Sequence, residues 1–171
     1  MNATYAAGER GARAAAREGT AVVVVDAFRA STTISVLVSK GARVVPVASI
    51  EEAASYAGAD YRIGERGSAK VHGFDFGNSP TEIEATELKK GATVVISTTN
   101  GTRIVEAAGG APAILAGTFV NAHAIADELA SGPLRGALRD DRVWLCGPPG
   151  LRGRICRRRD PLSPAREGSK S

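Results

Sequence analysis

The sequence contains few aromatic residues and few cysteines, and both shortages restrict how the chain can fold. Aromatic residues make up 5% of the 171 residues, whereas hydrophobic residues make up 43%. The core must therefore be built from Val, Ile, Leu and Ala, which suits parallel strands buried between helices. Cys146 and Cys156 form no CxxC pair, and the sequence has no Cys/His cluster. Neither a disulfide framework nor a zinc site is expected.

Targeting segments and membrane segments are also lacking. No apolar run approaches the roughly 18 residues that a membrane-spanning helix requires. The N-terminal segment carries Arg and Glu throughout and has no apolar stretch typical of a signal peptide. The GxxxxGK[ST] motif of P-loop proteins is absent as well. We expect a soluble, cytoplasmic protein without a membrane partner.

The net charge of +4 comes from the C-terminal part of the chain. Residues 1–134 contain 12 Lys or Arg and 14 Asp or Glu, whereas residues 135–171 contain 10 and 4. No aromatic residue lies among the tail's arginines to stack on bases, so nucleic acid is not an expected partner. The positive charge says little about the ligand of the folded part.

Strand patterns and helix patterns alternate from about residue 20 to residue 130. β-Branched runs predict buried strands at 21–25, 43–47, 93–97 and 113–116, and helical patterns cover 31–40, 102–108 and 121–130. The order strand, helix, strand occurs twice, about 70 residues apart. We predict an α/β fold, a three-layer α/β/α open sheet built from two duplicated β-α-β-α units.

The composition divides the chain into three parts. Residues 1–19 are interpreted as an N-terminal helix or frayed segment, residues 20–146 as the α/β domain, and residues 147–171 as a disordered basic tail. Within the domain, the glycine-rich residues 62–81 are interpreted as a loop, long enough to indicate a function.

Charged and hydroxyl residues follow the first strand directly. Asp26 ends the apolar run, and Arg29, Thr32 and Thr33 come within seven positions of it. Ligands of open α/β sheets bind outside the carboxyl ends of the strands. An aspartate there can bind Mg²⁺ or attack a phosphoryl group, although Asp is also a favoured helix cap. Arg and hydroxyls at a helix start form an anion site, with one hydroxyl expected to act only as a cap.

The second unit repeats this arrangement after the strand at 93–97. Thr99 and Asn100 end the strand, Gly101 permits close approach of the backbone, and Thr102 and Arg103 open the next helix. Two such turns at neighbouring strand ends would face one crevice from both sides. We predict that these residues bind an anionic substrate.

The glycine-rich loop supplies further candidates. Glu65 or Asp75 could complete a metal shell around Asp26, and Arg66, Asn78 and Ser79 could contact the substrate, although each can also be a solvated loop residue. Two classes remain open: a Mg²⁺-assisted phosphatase for a small multi-anionic metabolite, and a non-catalytic anion- or nucleotide-binding domain. Only the phosphatase requires Asp26 to share a metal with Glu65 or Asp75.

Five linked motifs together resemble the 2-phosphosulfolactate phosphatase (ComB) family. The motifs are VVVDAFRASTTI, GARVVPVASIEEA, GERGSAKVHGFDFGNSPTEI, STTNGTRIVEAA and AGTFVNAHAIA. The resemblance covers about residues 20–130 and implies a three-layer α/β/α protein that hydrolyses a phosphate monoester with Mg²⁺. The implied substrate, 2-phosphosulfolactate, is an intermediate of coenzyme M biosynthesis, and related hydroxy acids remain alternatives. The implied partner is a small phosphorylated anion, and a homo-oligomer is an open alternative.

The resemblance and the residue chemistry together assign roles to the candidates. Asp26 would bind the metal or attack phosphorus, and Arg29 and Arg66 would hold the transferring phosphoryl group. Thr99, Asn100 and Thr102 would orient the remaining anions.

The C-terminal end departs from the family's pattern. Its Arg, Pro and Gly enrichment has no period and is typical of a GC-rich gene read out of frame, so we interpret it as a frameshifted end beginning near Cys146. An inactive, truncated homologue of the phosphatase is therefore a further alternative.

Overall fold

Eight strands and six helices alternate along the part of the chain described by the computed structural model, residues 2–26, 29–98, 101–132, 134–135 and 142–147. The strands are β1 (Asn2–Ala7), β2 (Ala21–Val25), β3 (Arg43–Val47), β4 (Tyr61–Arg66), β5 (Ala69–Lys70), β6 (Thr93–Ser97), β7 (Ile114–Gly117) and β8 (Arg142–Gly147). The helices are α1 (Gly8–Arg17), α2 (Ala30–Ser39), α3 (Ile50–Ser55), α4 (Pro80–Glu84), α5 (Gly101–Ala107) and α6 (Ala122–Ser131).

The strands are divided between two four-stranded sheets. The first sheet has the order β1-β8-β2-β7 and is parallel throughout. The second has the order β3-β6-β4-β5, in which only the short hairpin between β4 and β5 is antiparallel. The open sheet expected from the sequence is thus formed as two sheets among the described strands.

The two repeated units exchange strands between the sheets. The first unit places β2 in the first sheet and β3 in the second, whereas the second unit places β6 in the second sheet and β7 in the first. As a result, β2 pairs with β7 from Val22↔Ile114 to Val25↔Gly117, and β3 pairs with β6. Helices α2 and α5 therefore cross between the sheets in opposite directions. This element order agrees with the predicted repeat.

Helices cover both faces of each sheet, because the strand residues are apolar on both sides. In β2, Val22 and Val24 pack with α1 and α5, whereas Val23 packs with Leu129 of α6 on the other face. In β6, Val94 and Ile96 pack with α2 and α4, and Val95 packs with Ala53 of α3. The three-layer α/β/α prediction is confirmed.

Helix α2 is held by tertiary packing and not by intrinsic propensity, since it is rich in β-branched residues. Leu37 is completely buried, and the helix contacts β3, β7 and α4. Its hydroxyls bond back to the preceding turn, as in Ser35 Oγ to Ser31 O at 2.8 Å. Gly41, with φ of +79°, ends the helix in the left-handed conformation that favours glycine.

Two expectations about the elements were incomplete. Residues 1–19 were interpreted as a helix or frayed segment, and Gly8–Arg17 form α1, but Asn2–Ala7 form β1, which pairs with β8 in the first sheet. The predicted loop at 62–81 begins with β4 and β5, because Tyr61–Gly64 pair with β6. No helix in the described ranges is long and apolar enough to cross a membrane.

Candidate active site

The two polar turns predicted after β2 and β6 meet at Asp26. A Cβ atom added to Gly101, the first residue of α5, would lie 3.7 Å from Asp26 Oδ2. Side chains alternate between the faces of a strand, so Asp26 continues the row of Val22 and Val24, which faces α5. The strands β2 and β6 lie in different sheets, yet their carboxyl ends converge on one place.

Hydrogen bonds from Ser31 fix the backbone around Asp26. The Asp26 N–H donates to Ser31 Oγ at 3.3 Å, and the Ser31 N–H donates to Asp26 O at 3.2 Å. The Ser31 hydroxyl in turn donates to Val24 O at 3.3 Å. These bonds hold the half-buried Asp26 next to the first turn of α2, so Ser31 fixes the backbone position of Asp26.

Arg29 forms an ion pair that joins the two sheets. Its Nη2 donates to Glu65 Oε2 at 2.5 Å, although Arg29 follows β2 of the first sheet and Glu65 lies in β4 of the second. The other carboxylate oxygen, Glu65 Oε1, accepts from the Asn78 N–H at 3.0 Å. The carboxylate is the more buried partner, with its side chain 20% exposed against 43% for Arg29. The pair brings the loop after β4 to the site.

A third strand end, that of β7, contributes polar groups that sequence reasoning did not assign. The hydroxyls of Thr32 and Thr118 lie 2.8 Å apart. Asn121 accepts from the Thr118 N–H at 2.9 Å and donates to Ser35 Oγ at 3.0 Å. The available signal was the polar run after the strand in the motif AGTFVNAHAIA, which parallels the turns after β2 and β6.

Thr33 and Thr102 were predicted to bind substrate, and the structure shows that both hydroxyls bond to backbone carbonyls. Thr33 is completely buried, and its hydroxyl donates to Arg29 O at 3.2 Å. Thr102 is 4% exposed, and its hydroxyl lies 3.0 Å from the carbonyl oxygens of Val47 and Thr98. Hydroxyls at helix starts commonly bond to nearby backbone in this way.

Ser79 and Asp75 also have structural partners. Ser79 is the N-cap of α4, where its Oγ accepts from the Glu82 N–H. Asp75 Oδ2 accepts from the Arg62 N–H at 2.7 Å. Because Arg62 precedes Glu65 by three strand residues, about 10 Å, the Asp75 carboxylate is held near the opposite end of β4. Of the two carboxylates offered as the second metal ligand, Asp75 is thus held away from Glu65.

The remaining predicted cations lie away from Asp26. Arg66 follows Glu65 in β4 and so faces the other side of the sheet, where it lies 3.6 Å from Glu51 at the start of α3. Both of these side chains are 76% exposed. Arg103 is exposed and lines a groove between α1 and α5 together with Glu9. Arg29 is the predicted arginine that the structure brings to the site.

The sequence predicted that Asp26 shares a metal with Glu65 or Asp75, and this sharing stays a prediction. Within the described ranges, no group of three or more His, Cys, Asp or Glu side chains could hold a metal ion. A Mg²⁺ ion commonly uses one or two protein carboxylates together with substrate phosphate. Asp26 can supply one carboxylate to this smaller donor set, and Gly101 next to it adds no side chain.

Some predictions lie outside the described residues. These are the binding roles of Thr99 and Asn100, and residues 148–171 of the disordered tail predicted at 147–171, whose first residue, Gly147, ends β8. The frameshift near Cys146 stays a prediction. Gly101, which follows Asn100 directly, fixes where the second turn enters the site.

Comparison with known proteins identifies the family. Residues 6–148 match the family model described as 2-phosphosulpholactate phosphatase. The chain belongs to this family. The resemblance inferred from the five motifs is thereby confirmed, and the matched range includes β2, β4, β6 and β7, whose ends form the site.

Several curated members of the 2-phosphosulfolactate phosphatase family are similar to the chain. The protein named probable 2-phosphosulfolactate phosphatase from Carboxydothermus hydrogenoformans is 46% identical over 117 residues, covering 66% of this chain and 48% of that protein. The protein of that name from Clostridium tetani is 42% identical over 115 residues, covering 64% and 49%. Its counterpart from Thermosynechococcus vestitus is 37% identical over 131 residues, covering 73% and 51%. The chain spans about half the length of these relatives.

Proposed function

We propose that the protein is a Mg²⁺-dependent phosphatase that hydrolyses the phosphate monoester of a small multi-anionic hydroxy acid, 2-phosphosulfolactate or a related compound. The observation that carries this proposal is the proximity of Gly101 to the Asp26 carboxylate, since a Cβ added to Gly101 would lie 3.7 Å from Asp26 Oδ2, with Arg29 three residues after Asp26 in the sequence. Asp26 therefore lies beside the starts of both α2 and α5. The names of the curated relatives support phosphatase chemistry.

Arg29 would hold the phosphoryl group. Its ion pair with Glu65 uses Nη2, and a guanidinium has five N–H donors, so the remaining edge can bind two oxygens of a phosphate. The 43% exposure of the Arg29 side chain leaves that edge accessible. In phosphoryl transfer, such positioning and charge neutralisation supply most of the catalysis.

Asp26 would hold Mg²⁺ beside Gly101. When bound, the ion would add positive charge at a phosphoryl oxygen. The amino end of α2, with its positive dipole end, favours a further anionic group of the substrate. A substrate with carboxylate or sulfonate beside its phosphate therefore suits the site better than a neutral phosphate ester. Coenzyme M biosynthesis and a cytoplasmic location belong to this proposal.

A substrate panel with and without MgCl₂ tests the proposal. Phosphate release would be measured for 2-phosphosulfolactate, phospholactate, phosphoglycerate and a neutral ester, p-nitrophenyl phosphate. We expect release that requires Mg²⁺ and favours the esters with additional anionic groups. Tight binding of the anionic esters without release would instead favour a non-catalytic anion-binding domain. Neither binding nor release would favour an inactive homologue.

A further inference from the structure

We propose that Glu65 is a positioning residue that fixes Arg29, and is not a ligand of the metal. This inference rests on the proposed function, because it concerns how the same site holds a phosphoryl group. It assigns Glu65 a role different from the metal ligation that the sequence suggested.

The partners of Glu65 carry the inference. Each of its two carboxylate oxygens already accepts a hydrogen bond, Oε2 from Arg29 at 2.5 Å and Oε1 from the Asn78 N–H at 3.0 Å. Gly77 precedes Asn78 and keeps the backbone close, since a Cβ there would lie 3.4 Å from Oε1. The carboxylate is therefore clamped between a backbone amide and a guanidinium.

The exposures of the two side chains indicate which one is presented to a ligand. Glu65 is 20% exposed and lies on the strand β4 of the second sheet, which pairs with β6. Arg29 is 43% exposed and lies in the turn between β2 and α2. A long arginine side chain loses considerable rotamer freedom when it is held in one place. Glu65 imposes that order before a phosphate arrives, so binding need not supply it.

The buried side-chain amide oxygen of Asn78 also supports the inference. Asn78 Oδ1 is buried and has no hydrogen-bond partner among the described atoms. The backbone N–H of Asn78 thus donates to Glu65 while the side-chain oxygen of Asn78 has no donor. Burial of an oxygen without a donor costs free energy. This is consistent with a segment whose place is set by the Glu65 contact.

Removal of Glu65 has two opposed effects, and their balance decides the inference. It frees Arg29 from a competing carboxylate, which would tighten phosphate binding, and it releases the guanidinium from its fixed place, which would weaken binding. We expect the second effect to dominate, because an exposed arginine without its partner samples many rotamers.

The experiment compares Glu65→Ala with Glu9→Ala in the full chain. Glu9 is the matched control, because its Oε2 also lies 2.5 Å from an arginine Nη2, that of Arg13, but on α1. ¹⁵N relaxation of Arg29 Nε reports order directly and without turnover. We expect Arg29 to be ordered in the unaltered protein and in Glu9→Ala, and mobile in Glu65→Ala. Equal order in all three overturns the proposal.

Inorganic phosphate is the binding probe, measured by calorimetry in a double-mutant cycle with Arg29→Ala. We expect Glu65→Ala to weaken phosphate binding about fivefold to tenfold, and to have no further effect when Arg29 is already replaced. Unchanged or tighter phosphate binding in Glu65→Ala would show that the carboxylate only competes for Arg29, and would overturn the proposal.

Mg²⁺ dependence separates positioning from ligation. If phosphate is released, the Mg²⁺ concentration at half-maximal rate should be the same in Glu65→Ala and the unaltered protein, with a kcat/KM about tenfold lower. A large increase in that Mg²⁺ concentration would identify Glu65 as a ligand and overturn the proposal. If no protein releases phosphate but the double-mutant cycle of phosphate binding gives the expected result, the phosphatase proposal is refuted and the positioning role of Glu65 is supported.

Discussion

Replacement of Gly101 by alanine tests whether the space beside Asp26 is used. The added Cβ would lie 3.7 Å from Asp26 Oδ2, an ordinary contact, and 3.1 Å from Thr98 Oγ1, which must shift by a few tenths of an ångström. Alanine favours a helix over glycine by up to about 1 kcal/mol, which offsets this crowding. We expect the free energy of unfolding to change by less than about 1 kcal/mol.

The function should respond much more strongly than the stability. A methyl group beside Asp26 Oδ2 occupies space that an ion or phosphoryl oxygen would need, and a displacement of about 1 Å can cost about 100-fold in rate. We therefore expect Gly101→Ala to unfold near the temperature of the unaltered protein and to release phosphate about 100-fold more slowly. Thermal unfolding by circular dichroism and phosphate release measure the two quantities. Full activity in a stable Gly101→Ala protein would refute the use of this space.

Three further replacements test the packing and the charges. Thr102→Val should lower the free energy of unfolding by about 1–3 kcal/mol, because the one buried hydroxyl donor that the carbonyls of Val47 and Thr98 share is lost, while Thr102→Ser should keep the stability. Denaturant titration checks both variants, and a Thr102→Val protein with unchanged stability and lost activity would support the predicted binding role. Gly64→Ala should destabilise by about 1–3 kcal/mol in the same assay, since its Cβ would lie 2.9 Å from a ring carbon of Phe74, and a neutral result would contradict the tight packing. The Thr93 N–H and Lys89 hold the pKa of the Asp60 carboxyl below its usual 3.8, so its stabilisation exists above that pH and is lost as the pH falls through the lowered pKa. The stability difference between the unaltered protein and Asp60→Asn should therefore disappear in strong acid, and a difference that persists there would contradict the assignment.

The repeated strand and helix patterns predicted most of the central fold. β-Branched runs fixed β2, β3, β6 and β7 almost to the residue, because their local periodicity and their burial on both faces agree. The division into two sheets could not be predicted, since strand pairing depends on contacts between distant segments. Strand β1 was missed because its pairing with β8, some 140 residues away, outweighs local propensity.

At the site, strand-end position predicted that Asp26 and Gly101 lie close together, because turns at the carboxyl ends of parallel strands project to one side, whereas the binding roles of Asp26, Arg29 and Gly101 stay predictions. The direction of individual side chains was not predictable. Arg66 and Glu65 are neighbours in the sequence, yet the alternation along β4 sends them to opposite faces. Thr33 and Thr102 have the chemistry of binding residues. Only the three-dimensional structure shows that their hydroxyls donate to backbone carbonyls.

The most direct test of the account is phosphate release by Asp26→Asn in the presence of Mg²⁺. This replacement keeps the size of the side chain and removes its charge, so Arg29 and the start of α5 should stay in place. We expect Mg²⁺-dependent turnover to be abolished while inorganic phosphate still binds with near-normal affinity. Turnover close to that of the unaltered protein would contradict the claim that the two strand-end turns form one catalytic site around Asp26.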